Sequence, residues 1–381
     1  MSDTRELEAA PAALRAARAF DAEIRAGAAD AEAARRQAPQ LMRRLAEAGL
    51  FSICVPERYG GGELSARDVL RVLEAVSRSD GATGWCVMIG ATTGVLAASL
   101  PEEFAREIYA ANPHGVTGGA AAPLGRARAG AGGHLVSGRW PFGSGCQHSD
   151  WLVGGTVLDE SDTRLMFFAR DQVRILDTWY TGGLRGTGSH DFEVTDALVP
   201  HGRSVRLGSA PLCPGPLYRF PIFGLLALGV CAVTLGIARR ALDELVALAG
   251  GKVPTGSTRN LASRAVVQRQ VGEGEAALRS ARAYVYGAVD AAWRIAEQGE
   301  PLPLDTRADL RLAAANAAWS AARAVDLAYH AAGGTSVYDA SPLSRCFRDV
   351  HVATQHIMVA QPIFELAGRV ALGLPTERGA L

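Results

Sequence analysis

The pattern of hydrophobic and polar positions divides the chain into three blocks. Residues 1–112 carry apolar residues at a helical period, and Ser65 stands at an N-cap position before ARDVLRVLEAVSRS. Residues 113–211 hold short apolar runs between glycines, at the spacing of about ten residues typical of an antiparallel sheet or small barrel. In residues 212–381 the helical pattern returns, and four long segments predict an antiparallel four-helix bundle: 219–250, 258–298, 306–333 and 342–373. The pattern predicts an α+β, mostly α, protein.

Two stretches are apolar on nearly every face, one at 84–100 and one from Phe220 to Ala238. The second has no charge and is just long enough to cross a bilayer. It is rich in Ala and Gly and continues into the amphipathic segment RRALDELVALA. A helix that is apolar all round also forms the centre of a soluble bundle or a subunit interface, and we favour that interpretation over a membrane span.

Charge and cysteine content narrow the class of protein. The chain has 39 basic and 39 acidic residues, a net charge of zero. Its basic residues are scattered, which argues against nucleic-acid binding. The six cysteines are dispersed without a CxxC pair, so we expect reduced thiols in a cytoplasmic protein rather than disulfides or a zinc site. Residues 1–20 carry charges throughout, which does not match a signal peptide.

The segment WPFGSG at 140–145 carries the most informative candidate chemistry. Its glycines allow backbone amides to approach a flat ligand closely, while Trp140 and Phe142 offer aromatic faces. Ser144 adds a hydroxyl between two glycines, which can hydrogen-bond a ring nitrogen or carbonyl. Taken alone, the segment is more typical of a hairpin with a structural aromatic residue.

Two histidines, His351 and His356, lie near the end of the last predicted helix. Five residues apart, they do not share a helical face as i, i+4 metal ligands do, so no metal site is predicted. A single histidine on a helix is more often structural than catalytic. The glycine-rich string GLRGTGSHD at 183–191 lacks the strand and helix context of a phosphate-binding loop, so no nicotinamide site is expected in this chain.

Four segments stand in a characteristic order along the three blocks: ICVPERYGGG (53–62), SGRWPFGSGCQHSDWLVGG (137–155), GLRGTGSHDFEVTDALVP (183–200) and SPLSRCFRDVHVATQH (341–356). Together they resemble the acyl-CoA dehydrogenase fold over essentially the full length. Within that fold the chain resembles the two-component flavin-dependent monooxygenases (group D hydroxylases) more than the dehydrogenases. The resemblance implies an N-terminal helical domain at 1–112, a central antiparallel β-barrel domain at 113–211 and a C-terminal four-helix bundle at 212–381.

The resemblance also implies a reaction. A separate NAD(P)H:flavin reductase would supply dissociable reduced FMN or FAD, which reacts with O2 to give a hydroperoxide at flavin C4a. That species would hydroxylate or N-oxygenate a small aromatic or amine-bearing substrate. A homotetramer built through the bundle is expected, in the cytoplasm, with no nucleic-acid or membrane partner.

By the same resemblance, Ser144 would contact flavin N5, and His356 would orient and activate the substrate. The stretch GGAAAPLGRA at 118–127 resembles a loop over the flavin ring. The resemblance assigns flavin contacts to Trp140, Phe142, Ser144, Gly145, Gly119, Ala120, Ala121, Arg185, Thr187, Ser189, Arg264 and Ser336. It assigns substrate contacts to Trp85, Thr93, Cys146, His190 and His356. Core packing for Trp85 and Thr93, and a salt bridge for Arg264, are equally compatible with the sequence.

Two alternatives stay open. An acyl-CoA dehydrogenase or oxidase needs a glutamate that removes an α-proton. The two places where the family carries that glutamate fall on Ile357 and Leu226, so this alternative requires a displaced base, for which Glu365 is the residual candidate. The second alternative is a catalytically inactive scaffold of the same fold, which would bind flavin in neither redox state.

Overall fold

The computed structural model describes residues 10–159 and 162–376, so the sequence expectations for residues 1–9 lie outside the described residues. The N-terminal part is helical, as predicted. Ser65 caps its amphipathic helix by accepting a hydrogen bond from the Asp68 amide at 3.1 Å. The helices of this part are α1 (Ala12–Ala19), α2 (Asp21–Ala34), α3 (Pro39–Glu47), α4 (Ala66–Ser79), α5 (Gly81–Thr93) and α6 (Glu102–Ala105).

Helix α5 is the central element of this part of the fold. Asp80 caps it by accepting a hydrogen bond from the Thr83 amide at 2.8 Å. The helix is buried on almost every side, as its uniformly apolar sequence predicts, and it packs against α4, β1 and the first helix of the C-terminal part. Trp85 therefore points into the interior of the protein, where it is only 6% exposed.

The central part is one seven-stranded sheet, in which the strands lie in the order β5-β6-β2-β1-β3-β4-β7. All neighbouring strands are antiparallel except β1 and β3, which pair in parallel. The strands are β1 (Thr117–Gly130), β2 (Gly133–Trp140), β3 (Trp151–Val157), β4 (Thr163–Ala169), β5 (Arg174–Leu176), β6 (Asp191–Pro200) and β7 (Ser204–Arg206). The predicted apolar runs account for β2 to β6, while β1 and β7 carry no such run.

Strand β1 corrects the prediction of a loop at 118–127. These residues pair with β3, and the register shifts twice, between Ala120 and Pro123 and between Pro123 and Gly125. Proline has no amide hydrogen for the ladder, so a bulge at this position is expected. At Gly119, where φ is +142°, a Cβ would lie 2.0 Å from the Val153 carbonyl oxygen, so this strand position requires glycine.

The C-terminal part is a helical bundle whose fourth member is broken, which corrects the prediction of one helix over 342–373. The bundle helices are α7 (Ile222–Gly251), α8 (Ala265–Glu297), α9 (Leu304–Ala332), α10 (Pro342–Thr354) and α11 (Pro362–Ala371). Residues 355–361 are not helical, and Pro362, which has no amide hydrogen to donate inside a helix, stands in the first turn of α11. His356 consequently lies in the turn between two helices.

Within the described residues, two helical stretches are long and apolar enough to cross a membrane, Gly81–Ser99 and Ile222–Gly251. Inside the fold, 89% and 78% of their apolar windows are buried. Both are buried core helices of this fold, which agrees with the interpretation of Phe220–Ala238 as a buried helix. The domain limits 112/113 and 211/212 stay predictions; both fall in the connections that flank the sheet.

Candidate active site

A row of hydroxyl groups meets an indole N–H where α5 approaches the sheet. Trp85 Nε1 donates to Ser144 Oγ at 3.0 Å. Ser144 Oγ lies 2.7 Å from Ser189 Oγ, which lies 2.7 Å from Thr187 Oγ1. Thr187 Oγ1 donates to the Leu184 carbonyl oxygen at 2.7 Å. All four polar side chains are buried, so the sequence-predicted residues Trp85, Ser144, Thr187 and Ser189 form one connected group.

The loop that carries Thr187 and Ser189 is held by the C-terminal bundle. Leu184 takes the left-handed backbone conformation, with φ +50°, and its amide donates to Asp349 Oδ1 at 2.5 Å. A Cβ on Gly183 would lie 2.2 Å from the Arg348 carbonyl oxygen, so the loop backbone rests directly on the backbone of α10. The position of the hydroxyl row therefore depends on the same helix that leads to His356.

His356 packs against Trp85, with the two rings edge to face and their centroids 5.5 Å apart. Its Nδ1 accepts a hydrogen bond from the Met358 amide at 3.3 Å. When the ring is neutral, this bond places the single hydrogen on Nε2. Burial, and secondarily the positive charge of Arg311, lowers the pKa of His356 to about 4. His356 therefore presents a neutral Nε2–H donor at neutral pH.

Three features next to Ser144 fit a flat, electron-rich cofactor. Gly145, with φ +69°, turns the chain sharply, and its amide donates to the Thr187 carbonyl oxygen at 3.0 Å. Phe142 is 67% exposed. Within residues 10–159 and 162–376, the buried Nε of Arg185 has no hydrogen-bond partner, and a buried donor of this kind requires an acceptor. The residues present thus fit a flavin.

Two predicted ligand contacts instead belong to the core of the sheet. Trp140 is fully buried, stacks on Phe192 with centroids 5.1 Å apart, and donates to the Gly155 carbonyl oxygen at 2.8 Å. Cys146 is buried in the same cluster, and burial raises its pKa to about 12. Neither side chain can offer a surface to flavin or substrate, because Trp140 at the end of β2 and Cys146 in the turn that follows both point into the sheet's apolar cluster.

His190 and Thr93 also use their polar atoms internally. His190 Nδ1 accepts hydrogen bonds from the amides of Thr178 and Trp179, both at 3.2 Å, and burial lowers its pKa. This neutral, buried ring supports the loop and does not present itself to a substrate. Thr93 Oγ1 donates to the Ile89 carbonyl oxygen at 2.7 Å, one turn back along α5, so its hydroxyl has no hydrogen left for a ligand.

Arg264 and Ser336 lie apart from the hydroxyl row. Arg264 is exposed at the start of α8 and lines a cleft of about 580 Å³ together with Gly333, Gly334 and Thr335. Ser336 is 1% exposed, and its hydroxyl is directed at the Tyr329 and Gly333 carbonyl oxygens. The cleft remains a candidate for a cofactor tail, but the Ser336 side chain stabilises the end of α9 instead.

Sequence reasoning missed three residues of this region. No role was predicted for Asp349, which lies in the segment at 341–356, although a carboxylate on the inner face of a helix is a signal of a buried interaction. Trp179 donates to the Leu184 carbonyl oxygen at 3.1 Å. Arg311 is 2% exposed, lies close enough to lower the pKa of His356, and donates to the Met358 carbonyl oxygen at 3.4 Å. The partner of Trp179 is five residues away across an irregular turn, and that of Arg311 is 47 residues away, so no local pattern identifies either residue.

The positions that a dehydrogenase base would occupy hold no carboxylate. Ile357 is 73% exposed, and Leu226 is an apolar residue near the start of α7. Glu365, the residual candidate, is exposed on α11. An exposed carboxylate is solvated and does not become the strong, positioned base that α-proton removal requires. The geometry does not favour the dehydrogenase alternative.

Two family models match the chain: the N-terminal domain of acyl-CoA dehydrogenase over residues 8–107 and its C-terminal domain over residues 228–361. The chain belongs to the acyl-CoA dehydrogenase family. It is 37% identical over 329 residues to an indole-3-acetate monooxygenase of Pseudomonas putida, across 85% of this chain and 84% of that one. Within the family it is a flavin-dependent monooxygenase of the two-component type.

Two further proteins support this membership. The chain is 25% identical over 367 residues to the oxygenase subunit HsaA of Mycobacterium tuberculosis, a flavin-dependent monooxygenase, across 93% of each chain. It also superimposes on XiaF from Streptomyces sp. in complex with FADH2 and glycerol, with a TM-score of 0.91, 25% identity and 98% of both chains covered. Reduced flavin, O2, a small-molecule substrate and a separate flavin reductase belong to this class of enzyme.

Proposed function

We propose that this monooxygenase inserts one oxygen atom into a small aromatic carboxylate of the indole-3-acetate type, at the site formed by Trp85, Ser144, Ser189 and His356. The observation that carries the proposal is the edge-to-face contact between Trp85 and His356, centroids 5.5 Å apart, directly beside the Ser144 hydroxyl. This contact places the neutral Nε2–H donor of His356 and the aromatic ring of Trp85 next to Ser144, the residue expected to hold the flavin.

The cofactor would be held by Ser144 at N5 and by the Nε of Arg185. A bound reduced flavin supplies reductive activation of O2 and transfer of one oxygen atom. Ser144 fixes the ring position through its bonds to Trp85 and Ser189. Burial of these residues excludes water, which protects the reactive species from discharge.

His356 would orient the substrate by donation rather than by proton removal. Its Nδ1 already accepts the Met358 amide hydrogen, so the Nε2 hydrogen is the one available to a substrate oxygen. The lowered pKa keeps the ring neutral across the physiological range. Of the two ways in which His356 could activate a substrate, hydrogen bonding or proton removal, this arrangement supports hydrogen bonding.

Charge near His356 favours an acid as the substrate. The Arg311 guanidinium is buried and acts on His356 as a positive charge. In a low-dielectric interior such a charge favours a carboxylate over a neutral or cationic group. An indole-3-acetate monooxygenase is also among the relatives that cover most of this chain.

Turnover with a supplied NADH:flavin reductase tests the proposal. We expect indole-3-acetate to yield a product that contains one additional oxygen atom, detected by mass spectrometry with label from ¹⁸O2. Indole, which lacks the carboxylate, and 4-hydroxyphenylacetate are the comparison substrates and should turn over more slowly. Hydrogen peroxide as the sole oxygen product with all three would contradict the proposed substrate class.

We also propose a homotetramer in the cytoplasm, using FAD or FMN. Six buried free cysteines suit a reducing compartment. Large apolar side chains are exposed on the C-terminal bundle, as at a subunit interface; they include Val246, Val266, Tyr338, Ile357 and Leu372. Light scattering during size-exclusion chromatography measures the assembly directly, and a monomer at micromolar concentration would exclude the tetramer.

A further inference from the structure

The hydrogen atoms of the hydroxyl row have only one consistent arrangement. Thr187 has one hydroxyl hydrogen, and its contact of 2.7 Å with the Leu184 carbonyl oxygen uses it, because a carbonyl can only accept. The contact between Ser189 and Thr187, also 2.7 Å, must then be donated by Ser189. The contact between Ser144 and Ser189 must in turn be donated by Ser144.

Ser144 is left as an acceptor toward the site. Its single hydrogen points at Ser189, and one lone pair receives the Trp85 Nε1–H at 3.0 Å. A hydroxyl oxygen has two lone pairs, so one remains. A ligand atom that meets Ser144 Oγ therefore forms a hydrogen bond only if that atom carries a hydrogen.

The end of the row is anchored so that this direction does not reverse. The Leu184 carbonyl oxygen also accepts from Trp179 Nε1 at 3.1 Å and from the Thr187 amide at 3.1 Å. The Leu184 amide is bound by Asp349 Oδ1 at 2.5 Å. The Leu184 peptide group is thus held on both sides, and its oxygen cannot turn away from Thr187.

This direction distinguishes the two redox states of a flavin. N5 of a reduced flavin carries a hydrogen and can donate, whereas N5 of an oxidised flavin has only a lone pair. We propose that Ser189 and Thr187 determine selectivity for the reduced flavin, because they fix Ser144 as a hydrogen-bond acceptor. The inference rests on the proposed placement of flavin N5 at Ser144, and it assigns to both residues a positioning role.

Affinities of the two redox states test this directly. Oxidised FAD and FMN are titrated in air, and the same flavins reduced by dithionite are titrated under anaerobic conditions, with wild type, Ser189→Ala and Thr187→Val. Ser189→Ala removes the acceptor of the Ser144 hydrogen, and Thr187→Val removes the acceptor of Ser189, which can then donate to Ser144. In both variants the Ser144 hydrogen can point at an oxidised N5. We expect affinity for oxidised flavin to rise about fivefold, the size of one net hydrogen bond. Affinity for reduced flavin should change less than about twofold, because the acceptor lone pair stays in place.

Ser149→Ala is the matched control, because the Ser149 hydroxyl is also buried and donates to a loop carbonyl, that of Gly145 at 3.1 Å, but lies outside the row. It should leave the ratio of the two affinities unchanged. If the ratio of the affinities for oxidised and reduced flavin is unchanged in both Ser189→Ala and Thr187→Val, the selectivity inference is wrong. Equal weakening of the binding of both redox states would overturn it as well, and neither result would affect the proposed function. Wild-type protein that binds neither flavin would overturn the proposed function as well.

Discussion

The indole N–H of Trp85 and the hydroxyl of Ser144 are joined by a hydrogen bond of 3.0 Å between two different domains. Trp85 belongs to α5 of the helical part, and Ser144 to the turn after β2. The same indole meets the His356 ring, which comes from the C-terminal bundle. The candidate site is therefore assembled from all three parts of the fold, and each part contributes one of these three side chains.

Replacing Trp85 by phenylalanine keeps an aromatic ring beside His356 but removes the hydrogen bond to Ser144. We expect hydrogen peroxide release per reduced flavin consumed to rise about fivefold, as the loss of one net hydrogen bond implies. Peroxide and oxygenated product are measured together in single-turnover reactions. Trp293→Phe is the control, since its indole bonds Glu297 on α8. A rise of equal size in the control would contradict the assignment.

Two substitutions of His356 separate hydrogen-bond donation from other roles. A glutamine side chain offers an N–H donor in place of His356 Nε2, whereas leucine offers none. His356→Gln is expected to lose at most about tenfold in kcat/KM for the substrate, and His356→Leu about a hundredfold, because hydrogen bonds to charged groups are the stronger ones. Steady-state kinetics with coupled reductase separate the two variants. Equal losses in both would indicate that the histidine acts as a base or only fills space.

The protonation state of His356 gives an independent check. Burial lowers its pKa to about 4, so the folded protein disfavours the charged ring. The ring should therefore remain neutral from pH 8 down to pH 5. The unfolded chain binds this proton at a higher pH than the folded protein, so the free energy of unfolding decreases as the pH falls from about 6.5 toward 4. Nitrogen NMR of labelled histidine reports this directly. Titration of the ring near pH 6.5 would contradict the buried position.

Asp349 should make stability depend on pH in the opposite direction. Burial, and secondarily the like charge of Asp80, raises its pKa to about 7 from 3.8. Between these values the folded protein binds a proton that the unfolded chain has released, so stability falls as pH rises through this window. Asp349→Asn accepts the Leu184 amide without titrating. The melting temperature of wild type should fall relative to the variant by on the order of 5 °C between pH 5 and pH 8.

An exposed carboxylate provides the matched comparison for Asp349. Asp290 forms an exposed ion pair with Arg67, and Asp290→Asn should leave the difference between pH 5 and pH 8 unchanged. Melting curves recorded in the same buffers compare all three proteins. Parallel curves for wild type and Asp349→Asn would show that this carboxyl is ionised throughout, as it would be in an exposed position.

Glu365→Gln tests the dehydrogenase alternative. Glu365 is exposed on α11, where its carboxylate faces solvent. Oxygenase turnover should therefore stay within about twofold of wild type, as for surface substitutions in general. Acyl-CoA thioesters should not bleach bound oxidised flavin in either protein. Bleaching by an acyl-CoA that the variant abolishes would restore Glu365 as a base.

The parts of the fold that sequence patterns predicted are those with local signals. The Ser65 cap, the uniformly apolar α5 and the alternating strands β2 to β6 each have a signature within a few residues. Strand β1 escaped prediction because glycine, alanine and a bulge at Pro123 replace the usual alternation of branched residues. The break after α10 was missed because the apolar pattern continues through residues 355–361, where the backbone leaves the helix before Pro362 begins α11.

In the candidate site, too, the residues with a local sequence signal were predicted and the others were not. Serine between two glycines at 143–145 and the family motifs pointed to Ser144, Thr187, Ser189 and His356, which do converge or lie on its margin. Trp140 and Cys146 are buried instead, because the sequence does not tell which way the last residue of a strand or a residue of a glycine-rich turn points. Asp349 and Trp179 act through contacts more than a hundred residues away or across a loop turn, which no local motif encodes.

Rapid mixing of anaerobic protein and one equivalent of reduced flavin with oxygenated buffer tests the central claim most directly. If Ser144 and its partners hold and shield a reduced flavin, oxidised-flavin absorbance should appear only after a lag that free flavin lacks. Ser144→Ala should shorten that lag. Wild-type protein in which FMN and FAD both reoxidise at the rate of the free flavins would contradict the account.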